Sequence, residues 1–243
     1  MNKVNEVSPT SDTEHYQGDA GSRYFSEKFD GRMSLGRQFQ AEYFLAHCRA
    51  DYHVVDFGCG DGTTLRMLPA AKKVGIEINP VCHDKIRKFN ESIDVPIEIQ
   101  TDLGDLDSES ADLLVSNHCL EHVPSPLETL QQIHRILKPG STFVLVVPFD
   151  DWRSKQNKNW VLDDTDQHLF TWCPRSLGNI VMRAGFQIES CRVSTQAWSP
   201  RIFFVDRYFG RSAFKLACRL YAMLSNRREL ACVATKGGNE QSL

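Results

Sequence analysis

Short apolar runs alternate with segments of helical periodicity along most of the chain. Runs of this length, separated by helical segments, are typical of the strands of an α/β sheet whose two faces are covered. Two helical segments are well marked, at 37–46 and at 174–184, and the second runs from Pro174 to a stop at Gly185. The predicted strands are residues 53–57, 73–78, 97–103, 111–117, 142–148, 186–193 and 230–235, the last of them alternating and edge-like.

Glycine occupies every second position directly after the first strand, at Gly58, Gly60 and Gly62. Glycine lets the backbone turn tightly and lie close against a ligand, because it carries no Cβ. The helix that begins at Thr63 points its first amides at the same ligand. Because position 63 is threonine, the loop departs from the G-x-G-x-x-G of dinucleotide-binding proteins, which disfavours a nicotinamide reductase. The pattern predicts a site for a nucleotide-like cofactor.

Acidic residues follow the next two predicted strands. Glu77 lies about twenty residues after the glycine loop, where a carboxylate can accept hydrogen bonds from both ribose hydroxyls of an adenosine. Asp102 ends the third run, but it opens an acidic stretch, 102–112, that can equally be a solvated loop. We therefore expect Glu77 to bind the cofactor and regard Asp102 as a weaker candidate.

These marks occur in a fixed order over roughly residues 53–148, and as an ordered set they resemble the class I S-adenosylmethionine (SAM)-dependent methyltransferases, in particular the small-molecule methylases. The resemblance implies an α/β, Rossmann-like, doubly wound seven-stranded mixed sheet with an antiparallel last strand. It also implies helices on both faces and a helical cap inserted between strands six and seven. The set comprises the glycine loop, Glu77, Asp102, the segment Asn117–Val123 and a helix stop and turn at Leu137–Ser141.

The same resemblance assigns roles to individual residues. Asp56 would shape the loop near the methionine part of SAM, and Asp102 would meet the adenine amino group. Asn117 and His118 would line the pocket, whereas Glu121 and His122 would be mostly structural. The implied cofactor-binding residues are Asp56, Gly58, Gly60, Glu77, Ile78, Asp102, Leu103, Asn117 and His118.

We expect a flexible tail at 1–22 and one methyltransferase domain at 23–243. Its parts are a cofactor half at about 53–148, an acceptor-side loop at about 150–173 and a basic cap at about 198–228. In related folds an N-terminal helix covers the SAM pocket. Four residues before that helix could form part of this lid or simply pack on the sheet: Tyr24, Phe25, Phe29 and Arg32.

His168 is our candidate for the catalytic base. A hydroxyl acceptor must lose its proton, and a histidine near its ordinary pKa of about 6.5 suits that task. The loop that contains His168 is similar to a segment on the acceptor side of small-molecule methylases. His122 and His118 are further candidates, and a purely structural role for His168 stays open.

No metal site is predicted. Asp163, Asp164 and Asp166 could bind a divalent ion, but they lack a matching set of partner ligands. The eight cysteines contain no C-x-x-C pair and lie partly on apolar runs, which favours reduced core cysteines in a cytoplasmic protein. No apolar stretch approaches the ~20 residues of a membrane span.

Charge is distributed unevenly. Residues 192–236 hold nine Lys or Arg against two Asp or Glu, a net charge of +7, which leaves −10 for the rest of a chain whose total is −3. A basic, aromatic segment beside the acceptor site favours an anionic acceptor or, through 201–224, peripheral contact with a membrane. A solvated cap or a dimer contact explains it equally well. Nucleic acid is not expected, and the oligomeric state stays open.

The sequence thus favours a SAM-dependent methyltransferase that produces S-adenosylhomocysteine and methylates a hydroxyl of a small molecule or carbohydrate, such as a nucleotide sugar or glycan intermediate. Two alternatives stay open. One is a methyltransferase acting on a lipid or quinone, a protein or an RNA. The other is a SAM-binding module without catalysis.

Overall fold

One sheet of seven strands organises the protein in a computed structural model, which describes residues 21–22, 25, 33–149, 168–194, 198–225 and 227–238. The tail to residue 20, Tyr24, Phe29, Arg32 and residues 150–167, with Asp163, Asp164 and Asp166, lie outside the described residues. The strands are β1 (His53–Phe57), β2 (Lys72–Ile76), β3 (Ile97–Gln100), β4 (Ala111–Asn117), β5 (Leu137–Pro148), β6 (Phe186–Ser194) and β7 (Glu229–Lys236).

The strand order is β3-β2-β1-β4-β5-β7-β6. Neighbouring strands from β3 to β5 are parallel, and β7 runs antiparallel to both β5 and β6. This confirms the predicted seven-stranded mixed sheet with an antiparallel last strand. The expectation that the last strand lies at an edge is wrong, because β7 is inserted between β5 and β6 and its residues 229–234 are buried.

Helices cover both faces of the sheet. Alternate residues of each central strand enter two separate cores, so that Val55 and Leu114 face one layer while Val54 and Leu113 face the other. A sheet that is buried on both faces needs apolar residues at consecutive positions, as β4 and β7 show. The helices are α1 (Ser34–Leu45), α2 (Thr63–Met67), α3 (Pro80–Asn90), α4 (Pro126–Ile136), α5 (Pro174–Arg183) and α6 (Phe203–Ser225).

The start of β5 differs from the prediction. The expected turn at Leu137–Ser141 is instead the start of β5, because α4 ends at Ile136 and Leu137 already pairs with Ala111. The register shifts between Ala111 and Leu113, and Gly140 has a positive φ of 79°. The strand therefore absorbs the glycine as an irregularity, where the sequence pattern indicated a turn.

The segment between β6 and β7 forms the predicted helical cap. Helix α6 is kinked at Gly210, whose φ and ψ are 81° and 173°. The cap packs on α1, where Phe214 contacts Phe39 at a ring distance of 5.4 Å. Glu42 of α1 pairs with Arg211 and Lys215, each at 2.7 Å. Within the described ranges, none of the helices has the length and apolar character that crossing a bilayer requires.

Candidate active site

The carboxyl ends of the parallel strands meet at one edge of the sheet, and the predicted cofactor residues gather there. In open α/β sheets this edge is where ligands bind, because the connections leave the strands in opposite directions and open a crevice. Glu77 and Asp102 follow β2 and β3 by one and two residues, and His118 follows β4 directly. The fold therefore brings together side chains from separate parts of the sequence.

The glycine loop lies tightly against the end of β2 and the chain after β4. The amides of Gly58 and Cys59 both donate to the carbonyl of Ile76, at 3.0 and 3.1 Å. Gly58 has a φ of 77°, and a Cβ built there would lie 2.5 Å from the sulfur of Cys119. Glycine is required at position 58 for both reasons, and its backbone stays open to a ligand.

Asp61 fixes the end of the loop and connects it to α1. Its Oδ1 accepts hydrogen bonds from the Thr63 amide at 3.1 Å and the Thr63 hydroxyl at 2.6 Å. Its Oδ2 accepts one from Arg37 at 3.2 Å. The contact ties the N-terminal helix to the loop over 24 residues of sequence, and the sequence pattern contained no sign of it.

Glu77 is a buried carboxylate held by backbone amides. Its Oε2 accepts the amide of Gly60 and its Oε1 accepts the amide of Asn79, both at 2.9 Å. Burial raises the pKa of Glu77, and these hydrogen bonds oppose the shift. Each oxygen keeps a further lone pair, so the carboxylate can still accept the two hydroxyls of a ribose. Ile78 lies between these two backbone anchors.

Asp56 lies in β1 beneath the glycine loop and is 2% exposed. Burial and the nearby Glu77 carboxylate raise the pKa of Asp56 to about 8. A cationic ligand in this place would favour the ionised form, because opposite charges attract strongly where water is excluded. The pair of buried acids is thus suited to a ligand that carries positive charge.

Asp102 and Leu103 differ in their surroundings. Asp102 is exposed, and its Oδ1 accepts the amide of Gly104 at 2.6 Å, which caps the short 3₁₀ turn Leu103–Asp105. Leu103 is buried in the core. The geometry neither requires nor opposes the predicted contact between Asp102 and an adenine.

Asn117 ends β4 at a narrow cleft beneath α1. Its Oδ1 is buried and accepts no hydrogen bond from the described residues, so it can accept one from a ligand. The cleft is lined by Gln40, Tyr43, Asn117, Val146, Ser194, Glu229 and Ala231.

His118 lies between two carboxylates. It has a positive φ of 52°, and its ring nitrogens lie 3.5 Å from Oε1 of Glu121 and 3.3 Å from Oε1 of Glu229. Burial opposes the charged imidazole, yet the two carboxylates raise the pKa of His118 to about 10. Burial would likewise raise the pKa of Glu121, but His118 lowers it below its usual value. Sequence reasoning missed Glu229, which begins β7.

His168 meets Glu121 and His122 in what we call the EHH cluster. The nearest ligand atoms of the three side chains all lie within 4.8 Å of one another. The rings of His122 and His168 are 4.9 Å apart, and Nε2 of His122 is 3.8 Å from Oε1 of Glu121. The amides of Leu169 and Phe170 donate to the carbonyl of Glu121 at 2.9 and 3.1 Å. The sequence has Glu121 and His122 side by side, where the resemblance implied a mostly structural role, but nothing in it showed that His168 meets them.

Comparison with known proteins identifies a family whose model matches most of the chain. A family model described as a methyltransferase domain matches residues 27–191. An uncharacterised 37.1 kDa protein from a transposon of Streptomyces fradiae is 30% identical over 110 residues, which are 41% of this chain and 30% of that protein. The chain thus spans less than a third of this curated relative.

Solved structures share the fold. A phosphoethanolamine N-methyltransferase of Haemonchus contortus, bound to phosphomonomethylethanolamine and S-adenosylhomocysteine, superposes with a TM-score of 0.66 at 14% identity over 96% of this chain and 61% of its own. A putative methyltransferase of Haloferax volcanii, in complex with the activator Trm112, gives 0.61 at 22% identity over 88% and 97%. At these identities the likeness concerns the fold alone.

Proposed function

The chain belongs to the methyltransferase-domain family, and from this premise we propose that it is a SAM-dependent methyltransferase that methylates a hydroxyl of a small molecule or carbohydrate. The observation that carries the proposal is the EHH cluster, which holds a histidine beside a buried carboxylate just after β4. An oxygen acceptor needs a group that takes up its proton, and this arrangement provides one.

The cofactor half supports binding of SAM at the sheet edge. We assign the ribose hydroxyls to Glu77, whose oxygens keep free lone pairs, and the methionine part to the glycine loop near Asp56. SAM carries a positive sulfonium, which two buried acids would attract. Asp102 stays the candidate for the adenine amino group, with Ile78 and Leu103 beside the base and Asn117 and His118 lining the pocket.

The reaction is an in-line displacement. The acceptor oxygen forms a bond to the methyl carbon, the carbon–sulfur bond breaks, and its electron pair stays on sulfur as neutral S-adenosylhomocysteine. Since the donor is already activated, the enzyme contributes mainly alignment and removal of the proton. We assign the proton to His168, because the neighbouring Glu121 carboxylate would stabilise the imidazolium that forms.

His118 is a weaker candidate for the base. Both of its ring nitrogens face carboxylates, Glu121 at 3.5 Å and Glu229 at 3.3 Å, so neither is left to accept a proton from a substrate. His122 lies farther inside the cluster, with its side chain 14% exposed.

An anionic acceptor fits the cap. Arg211 and Lys215 form ion pairs with Glu42, whereas Arg207 and Arg219 of α6 are exposed. Exposed cations near an acceptor site favour phosphate-bearing or carboxylate-bearing substrates such as nucleotide sugars.

A lipid acceptor is the second candidate, and a specific observation favours it. Large apolar side chains on α6 face solvent among the arginines: Tyr208 and Phe209 are each 70% exposed, Met223 is 69% exposed and Leu224 is 89% exposed. An amphipathic helix with this composition can lie on an anionic membrane surface. A lipid substrate would then be reached without leaving the bilayer.

The test is transfer of label from methyl-labelled SAM into a lysate of the source cell, separated into small molecules, glycans, lipids, nucleic acid and protein. We expect label in small molecules or glycans, and loss of that label by 100-fold or more with His168→Ala, since a general base contributes about 10²–10⁴-fold. His47→Ala, which removes a partly buried histidine just after α1, is the matched control and should keep full activity.

Label confined to lipid would replace our acceptor with the second candidate. Label in protein or nucleic acid would contradict both.

A further inference from the structure

The carboxylate of Glu121 has an unusual environment for a buried charge. The residue is 1% exposed, and neither carboxylate oxygen accepts a hydrogen bond from the part of the chain that the structure describes. A buried carboxylate without hydrogen-bond donors is costly, and most such groups in proteins are paired or bind a metal. The nearest nitrogens of His118 and His122 lie 3.5 and 3.8 Å from Oε1, which is longer than a charge-assisted hydrogen bond.

We propose that Glu121, His122 and His168 bind one divalent transition-metal ion such as Zn²⁺, Co²⁺, Mn²⁺ or Fe²⁺. Two imidazoles and a carboxylate are a ligand set that suits these ions, whereas Mg²⁺ and Ca²⁺ prefer oxygen ligands throughout. A cation at the centre of the cluster would also give the Glu121 carboxylate a partner at bonding distance, which the two imidazoles at 3.5 and 3.8 Å do not provide.

The distances require only small adjustments. Metal–ligand bonds of about 2.0–2.1 Å place two ligand atoms of a tetrahedral site about 3.4 Å apart. The three ligand atoms already lie within 4.8 Å of one another, and His122 Nε2 is 3.8 Å from Glu121 Oε1. Rotation about the side-chain bonds of the two histidines covers the difference.

The backbone holds the ligands in place before any ion binds. Glu121 and His122 share one short 3₁₀ turn, Leu120–His122. His168 comes from a distant loop, but the amides of the next two residues donate to the Glu121 carbonyl at 2.9 and 3.1 Å. The loop cannot leave the carboxylate without breaking these hydrogen bonds, so the entropy of bringing the third ligand to the site is largely lost on folding.

Three protein ligands leave a tetrahedral ion one open position, as in catalytic rather than structural metal sites. The role of that position rests on the proposed function, although binding of the ion does not. A substrate hydroxyl that coordinates there has a lowered pKa, loses its proton to water, and attacks the methyl carbon as an alkoxide while the carbon–sulfur bond breaks. In the metal-bound protein His168 is therefore a ligand, and its role as base applies to the metal-free form.

The experiment is a titration of the tag-free, full-length protein with Co²⁺ after treatment with a chelator. Bound cobalt is followed by its visible absorption. We expect one equivalent to bind, with affinity reduced about 100-fold or more in His168→Ala, because loss of a ligand should exceed the 10–100-fold effect of losing an outer-shell partner. His47→Ala is the matched control and should bind like the unmodified protein.

Glu121→Gln tests the carboxylate itself, and circular dichroism checks that this buried variant is folded. His168→Ala keeps the test valid if it is not, because His168 lies in a loop and is only partly buried. Absence of bound cobalt, or equal affinity of the unmodified protein and His168→Ala, would overturn the inference. Calorimetry with S-adenosylhomocysteine on the same samples separates the two proposals, since cofactor binding without cobalt binding removes only the metal site.

Discussion

Two buried glutamates lie at the same edge of the sheet, and their carboxylates have opposite hydrogen-bonding surroundings. Glu77, after β2, is 6% exposed, and each of its oxygens accepts a backbone amide at 2.9 Å. Glu121, after β4, is 1% exposed, and its oxygens accept no hydrogen bond from the described residues. One carboxylate is held by the main chain, and the other faces imidazoles.

From this difference we infer that one carboxylate serves to bind the cofactor and the other serves the methyl-transfer reaction. A carboxylate fixed by amides has one orientation and can hold a neutral polar group such as a ribose in a set position. The charge of a carboxylate that faces imidazoles can be balanced by a proton or a metal ion, both of which bind reversibly. We therefore propose that Glu77 binds the cofactor and that Glu121 takes part in activating the acceptor.

Replacing Glu77 should have the largest effect. Glu77→Ala removes the proposed hydrogen bonds to the ribose, each charge-assisted bond contributing about 1.5–3 kcal/mol, and releases the amide of Gly60. We expect the affinity for S-adenosylhomocysteine, measured by calorimetry, to fall about 100-fold or more.

The control for this prediction is Glu98→Ala, which removes a half-exposed glutamate of β3 that pairs with Lys72 at 3.3 Å. It should leave the affinity unchanged. Equal affinities of Glu77→Ala and Glu98→Ala would remove Glu77 from the cofactor site.

The pH dependence of stability should reveal the buried acid beside Glu77. The pKa of Asp56 is about 8 in the folded protein and near 3.8 when the chain is unfolded. Between these values the folded state binds more protons than the unfolded state, so this group lowers the free energy of unfolding as pH rises from about 4 to 8. Above pH 8 its contribution is constant.

We expect Asp56→Asn to flatten this slope, so that its melting temperature exceeds that of the unmodified protein by a few degrees at pH 8 but not at pH 5. Asp84→Asn, at an exposed aspartate that pairs with Arg87, is the control and should leave the slope as it was. A slope that Asp56→Asn does not alter would contradict the assigned protonation.

Replacing Glu42, a glutamate near the surface, should have the smallest effect. Glu42 holds the cap to α1 through Arg211 and Lys215, and its pKa is lowered because these hydrogen bonds outweigh the opposing effect of burial. Glu42→Gln should reduce the free energy of unfolding, measured by urea denaturation, by about 1 kcal/mol at most, since such pairs are largely solvated. Glu98→Gln should reduce the free energy of unfolding by less than Glu42→Gln does. A larger reduction by Glu98→Gln than by Glu42→Gln would mean that the cap contacts are not stabilising.

The glycine loop and the position of Glu77 at the sheet edge could be predicted, because main-chain geometry dictates them. The glycine loop requires glycine at fixed positions, and the interval to Glu77 is set by the short helix α2 and the five-residue strand β2. The EHH cluster could not be predicted, because 45 residues lie between His122 and His168 and only the path of a loop brings them together. Glu229 approaches His118 for a similar reason, since β7 is inserted beside β5 rather than at the edge.

The most direct measurement is a crystal structure of the protein with S-adenosylhomocysteine bound. We predict that the ribose hydroxyls lie within hydrogen-bond distance of the two Glu77 oxygens and that the sulfur faces the side of the site where Glu121, His122 and His168 meet. A ribose bound away from Glu77, or a sulfur that points away from those three residues, would contradict the division of roles between the two carboxylates.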